Sequence, residues 1–191
     1  MTWQIDPAAI ISLLAVVAFG AIVPVIPTGA AVSAAAVIAA HQSIPSLLSV
    51  VAAGAVGAYV GDGVTYAVLR WGGDGAARRM PWLRANGVSQ RTADRLAARP
   101  IPVLLVSRLI PGGRVPVLLA AALFGVPWRH FAIANAAASL LWSAVYASIG
   151  LAGRALFPEP WQGIVAVVVL VVLISLIGGR VRNWRESRAQ A

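Results

Sequence analysis

The chain has 191 residues, of which 60% are hydrophobic and 11% charged. A soluble domain carries about 45–50% apolar and about 25% charged residues, so the apolar excess here cannot be buried inside one small globule. The apolar runs are continuous and rich in Ala, Val and Leu, which excludes the alternating strands of an outer-membrane barrel and predicts an all-α integral membrane protein. Fifteen basic residues, every one an arginine, against six acids give a net charge of +9. Most lie in two blocks beside apolar segments, the pattern of membrane-surface charge, so anionic membrane lipids are expected partners and nucleic acid is not. There is no cysteine, hence no disulfide and no thiolate chemistry. His41 and His130 are too far apart for a histidine metal cluster, so neither a metal nor a cofactor is expected.

In chain order, the first apolar stretch runs from about Pro7 to Val23 and predicts a full span. The start carries Asp6 and no basic side chain, unlike a secretory signal. Pro24 to Ala40 stays apolar but is interrupted by Pro24, Pro27 and Gly29, too early for a spanning helix of about 20 residues. A re-entrant hairpin is predicted there, because freed backbone groups at membrane depth need protein or water around them. Ser46 to Trp71 predicts a second span with Asp62 in its middle third. The polar loop 72–100 is arginine-rich, and Ser89 to Ala98 predicts an amphipathic surface helix.

Ile101 to Phe124 is apolar and broken by Pro111, Gly112, Gly113 and Pro116, which predicts a second hairpin. Spans are expected over about 131–151 and 161–179. The reading is four full spans and two opposed re-entrant hairpins in one membrane-embedded domain, residues 1–179, with a basic cytoplasmic tail over 180–191. Twelve arginines fall on one side when loop 72–100 and the tail are cytoplasmic, against Arg154 alone outside. The positive-inside rule therefore predicts a multi-pass plasma-membrane protein, N-in and C-in. Trp71, Trp82, Trp128, Trp161 and Trp184 fall near predicted boundaries as interfacial anchors.

Ile26-Pro27-Thr28-Gly29 and Ile110-Pro111-Gly112-Gly113 share an Ile-Pro-x-Gly pattern 84 residues apart. Broken apolar segments at corresponding positions of two inverted halves point to a transport site near the midplane. Ionisable groups at membrane depth are functional candidates, being costly unless paired or hydrated. Three stand there: Asp62, Arg108 and Arg114. Arginine keeps its proton and its planar fork suits phosphate, so Arg108 and Arg114 around Pro111-Gly112-Gly113 form a candidate phosphate cradle. The bland alternative has Arg108 reaching the cytoplasmic surface and Arg114 in a structural pair with Asp62. Asp62 is either a proton-titrating carboxylate or a fixed partner of an arginine, and two cations against one acid favour the ionised, paired state.

The string Val106-Ser107-Arg108-Leu109-Ile110-Pro111-Gly112-Gly113-Arg114-Val115-Pro116 resembles the arginine motif of the DedA family, the bacterial branch of the VTT-domain (SNARE-associated) membrane proteins. Gly125-Val126-Pro127-Trp128-Arg129-His130-Phe131, Asn135, Leu141-Trp142, Gly57 to Asp62 and Tyr66 extend the resemblance over roughly residues 10 to 155. It implies two facing re-entrant hairpins, a bacterial inner-membrane location and movement of undecaprenyl phosphate or phospholipid across the membrane, with Asp62, Arg108 and Arg114 as the functional positions. The family's first Pro-x-x-Pro region usually bears acids, whereas Phe19 to Ala30 has none and Gly29 holds one such slot. That departure implies a divergent member, coupled weakly or not at all to protons.

The leading expectation is a lipid translocase acting on phosphate headgroups. A lipid-binding structural protein of the envelope is the alternative. A membrane enzyme is not expected, since no Ser or Asp stands at motif spacing from a His. A homo-oligomer is compatible with the sequence.

Overall fold

The computed structural model describes residues 6–23, 27–79, 94–96, 98–109 and 113–156, with isolated positions between 161 and 173. Among the described residues the elements are helices and no strand occurs. The chain runs α1 (Pro7–Ile22), α2 (Thr28–Gln42), α3 (Ile44–Arg79), α4 (Pro100–Leu109), α5 (Arg114–Leu123) and α6 (Trp128–Leu156). Local chemistry sets the ends. The Asp6 carboxylate accepts from Ala9 N–H at 2.7 Å, and Pro7 opens α1 where its missing N–H has no intrahelical partner to lose. Ser43 Oγ accepts from Ser46 N–H at 3.2 Å and starts α3 one residue after α2 stops. Between α5 and α6 the chain turns at Gly125, whose φ of +74° lies in the left-handed region that suits glycine.

Length separates two kinds of helix. The apolar stretches Ile44–Gly72 of α3 and Trp128–Gly153 of α6, 29 and 26 residues, are long enough to cross a membrane. α1 and α2, with 16 and 15 residues, are not; at about 1.5 Å per residue α1 reaches about 24 Å, short of a hydrocarbon core of about 30 Å. Neighbours fix their directions. Gly57 faces Leu14 and Val17 while Gly61 faces Ala18 and Ala21, so α1 runs parallel to α3. Gly29 faces Tyr146 while Gly150 faces Ser33 and Ala36, so α2 runs parallel to α6 and returns antiparallel to α3. A Cβ on Gly57 or Gly61 would run into the carbonyl oxygens of Leu14 or Ala18, the close backbone approach that small residues permit between apolar helices.

The first hairpin therefore differs from the expected one. It is made of α1 and α2 themselves, not of a broken segment over 24–40 following a full span from Pro7 to Val23. Apolar content alone counted α1 as a span; its packing halfway along α3 makes it one arm of a hairpin. Pro27 stands at the N-terminal boundary of α2, and Pro24 lies outside the described residues.

At the second expected hairpin, α4 and α5 bracket residues 110–113. Pro111 and Gly112 lie outside the described residues, whereas Gly113 immediately precedes α5. Most of loop 72–100, the tail 180–191 and the expected span 161–179 except isolated helical positions also lie outside them. Within the expected surface helix, Leu96 is 2% exposed and packs into a core with Tyr66, Leu104, Leu118 and Phe131. It is an anchor into the bundle.

The two halves repeat in inverted sense. α1 packs along α3 as α4 packs along α6, and α2 packs on α6 as α5 packs on α3. The long helices start 84 residues apart, at Ile44 and Trp128, the spacing of the two Ile-Pro-x-Gly strings. Two hydrogen bonds cross between them: Asn135 Nδ2 donates to Tyr59 O at 3.2 Å, and Ser143 Oγ donates to Val51 O at 2.8 Å. An 84-residue exchange converts one bond into the other, carrying Asn135 to Val51 and Ser143 to Tyr59. As α6 numbers rise, α3 numbers fall, so the two long helices are antiparallel. Outward-facing Val56, Val60, Val64 and Val68 form an exposed apolar stripe on α3, and Ile133, Leu140, Leu141 and Val145 are exposed on α6. A soluble monomer rarely shows such a surface.

Candidate functional site

Asp62 sits on α3 with its side chain fully buried, where an isolated carboxylate would be expensive. Two arginines answer it. Arg108, in the last turn of α4, donates from Nη2 to Asp62 Oδ2, and Arg114, the first residue of α5, brings Nε to 3.1 Å from Asp62 Oδ1. The hairpin break makes this possible, because the facing ends of α4 and α5 present residues six apart to one point on a third helix. The Arg108 side chain is 3% exposed and that of Arg114 is 19% exposed.

α6 completes the cluster. Arg108 Nη2 also donates to Asn135 Oδ1 and to Ser139 Oγ, each at 2.8 Å. Nη2 has two hydrogens and here three acceptors, while Arg108 Nε is buried with no hydrogen-bond partner. The Arg114 Nε–Asp62 Oδ1 pair is a close ionic contact that is misaligned as a hydrogen bond, so both atoms remain unsatisfied. The Arg108 guanidinium carbon lies 5.9 Å from the centre of the Trp142 ring, within cation–π range. The cluster thus holds two cations and one anion, with two buried guanidinium N–H groups still able to donate.

The geometry brings Asp62, Arg108 and Arg114 together at the second hairpin, with Gly113 beside Arg114. The alternative in which Arg108 extends to the surface does not hold, since Arg108 is the more buried arginine. Pro27 and Gly29 belong to the other hairpin. There Gly29 is buried against the ring of Tyr146, which a Cβ would strike. The Tyr146 ring lies 5.1 Å from that of Trp142, tilted by 50°, and the Tyr146 backbone carbonyl accepts from Ser33 Oγ at 2.7 Å.

Asn135 and Ser139 accept from Arg108 although no motif in the sequence links them to it. Their signal lies in the spacing: Asn135, Ser139 and Ser143 recur every four residues in the otherwise apolar run 131–145, which places them on one face. His41 bonds locally to Val37 O at 2.9 Å, and His130 is exposed.

A groove lies on the outer side of the α3–α6 contact, lined by Tyr59, Val60, Gly63, Trp128, Phe131 and Asn135, with a volume of about 200 Å³. Asn135 is its link to the charged cluster. Tyr66 stacks on Phe131 at 4.1 Å and donates to Val126 O, tying α3 to the turn before α6.

Among the described residues the chain is thus an inverted helical repeat with a buried charge cluster where the facing ends of α4 and α5 meet α3. Residues 7–152 match the VTT domain, and the chain belongs to that family, whose domain is the DedA family domain. No curated protein and no solved structure matches the chain.

Proposed function

We propose that the protein is a multi-pass inner-membrane translocase for lipids with phosphate headgroups, phospholipid or undecaprenyl phosphate, acting without covalent chemistry. The observation that carries this reading is the convergence of Arg108 and Arg114 on one fully buried carboxylate, with guanidinium N–H groups left over. A purely structural salt bridge needs one cation per anion. The second cation and the unsatisfied donors favour an anion that comes and goes, and Arg114, the more exposed arginine, is the contact that meets it. Gly113 immediately precedes Arg114 at the start of α5.

The expected orientation is revised accordingly. Loop 72–100 and the tail remain cytoplasmic by the positive-inside rule, but α1 starts on the same side as the N-terminal end of α3, so the start of α1 faces outward. Among the described helices the full spans are then α3 and α6. Asp62 touches both arginines, which supports passive scrambling with weak or no proton coupling.

The structural, lipid-binding reading keeps one supporting observation: all three acceptors of Arg108 Nη2 belong to the protein. Lipid flux in proteoliposomes separates the two. Arg114→Ala should abolish flux, and Arg114→Lys, which keeps charge but loses the fork, should lower it at least tenfold. Normal flux in both folded variants would leave the cluster structural.

A further inference from the structure

We infer that Asp62 sets the headgroup charge the niche accepts, selecting lipids whose phosphate carries one negative charge, a phosphodiester, over those carrying two. The inference rests on the translocase reading and adds the substrate class. Its basis is charge balance at a buried point. Arg108 and Arg114 contribute two positive charges and Asp62 one negative, which leaves one positive charge uncompensated at a cluster whose members are 3%, 19% and 0% exposed. The charged neighbours of Arg108 among the described residues are Asp62 and Arg114.

The other elements against the cluster bring neutral groups. α6 offers Asn135, Ser139 and Trp142. α1 reaches the Gly61 level of α3 with Ala18 and Ala21, and α2 faces the Trp142–Tyr146 side with Gly29 and Ser33. Loading a monoanion therefore makes the niche neutral. Loading a dianion leaves it with one negative charge and brings that headgroup against a carboxylate that cannot move into water. Buried charge is tolerated when paired and costly when left over, so the diester is the matched ligand. The unsatisfied Nε atoms of Arg108 and Arg114 supply two donors, enough for the two unesterified oxygens of a diester.

The experiment compares fluorescent phosphatidylglycerol, a diester, with phosphatidic acid of the same chains in proteoliposomes at pH 8.5 and pH 5.5. A phosphate monoester ionises a second time near about pH 6, so phosphatidic acid carries two charges at the higher pH and mostly one at the lower. The diester should move at least tenfold faster at pH 8.5, and the difference should fall to within about twofold at pH 5.5. Asp62→Asn raises the cluster by one positive charge and should bring phosphatidic acid at pH 8.5 up to the diester rate or beyond. The wild-type pair decides the matter even if that variant does not fold.

Equal or faster phosphatidic acid flux at pH 8.5, or a ratio that ignores pH, would overturn the assignment. Native mass spectrometry of the protein with each lipid at pH 8.5 is the second readout. Selective diester retention without flux would support the charge rule and sink the translocase reading. Dimethyl phosphate is the soluble arm: competition at the concentration of the lipid itself would assign the niche to soluble phosphate esters and overturn the lipid part.

Discussion

The two hairpin tips stand in equivalent places of the inverted repeat and have opposite chemistry. At the second tip Arg108 and Arg114 close on Asp62, with Asn135 and Ser139 as further acceptors. In the 84-residue register the partners of those residues at the first tip are neutral: Tyr146 for Asp62, Ala30 for Arg114, Val51 for Asn135 and Ala55 for Ser139. The space that a carboxylate occupies on one side is taken on the other by the Tyr146 ring against Gly29. The lesson is that the repeat conserves packing and direction while charge is carried once. Duplicating the cluster would add three more ionised groups at membrane depth, each costly.

The most severe way to break this contrast is to remove the central cation. Arg108→Ala leaves Asp62 with one misaligned partner and empties the acceptors on α6. Breaking a buried pair costs about 3–5 kcal/mol, so thermal unfolding in detergent should show the largest loss of any substitution at either tip. A variant as stable as the parent would mean that Arg108 is not what holds α4 to α3 and α6.

The next test uses the two bonds that the repeat exchanges. Asn135→Ala removes the bond to Tyr59 O and an acceptor of Arg108, a charged donor whose bonds are worth about 1.5–3 kcal/mol. Ser143→Ala removes only the bond to Val51 O, worth about 0.5–1.5 kcal/mol. Unfolding midpoints should rank Ser143→Ala clearly milder. Equal losses would show that the charge cluster adds nothing to the α3–α6 contact.

The last test probes the neutral tip. Gly29→Ala forces its new methyl group into the Tyr146 ring, an overpacking cost of about 1–3 kcal/mol. Tyr146→Ala should relieve it, so the double variant should be less destabilised than the two single changes added together. Additive losses would place the ring away from Gly29.

Much of this was legible from residues alone. Composition and continuous apolar runs determine a helical membrane-type chain, because such surface cannot be enclosed at this length. Prolines and glycines mark the breaks at 24–29 and 111–113, since each removes or frees a backbone hydrogen bond. Asp62, Arg108 and Arg114 stand out because ionised groups are rare in apolar segments. Tertiary structure alone decided three things. It turned α1 from a span into half a hairpin, because a helix of sixteen apolar residues has the same composition whether it crosses or stops, and only the contacts of Leu14 and Ala18 with Gly57 and Gly61 fix its depth. It buried Arg108 against Asn135 and Ser139, residues 27 and 31 positions further along, a distance over which no local pattern reports contact. It also filled the mirror of Asp62 with a tyrosine ring, an outcome that depends on antiparallel packing of two helices 84 residues apart and on Gly29 leaving room for it.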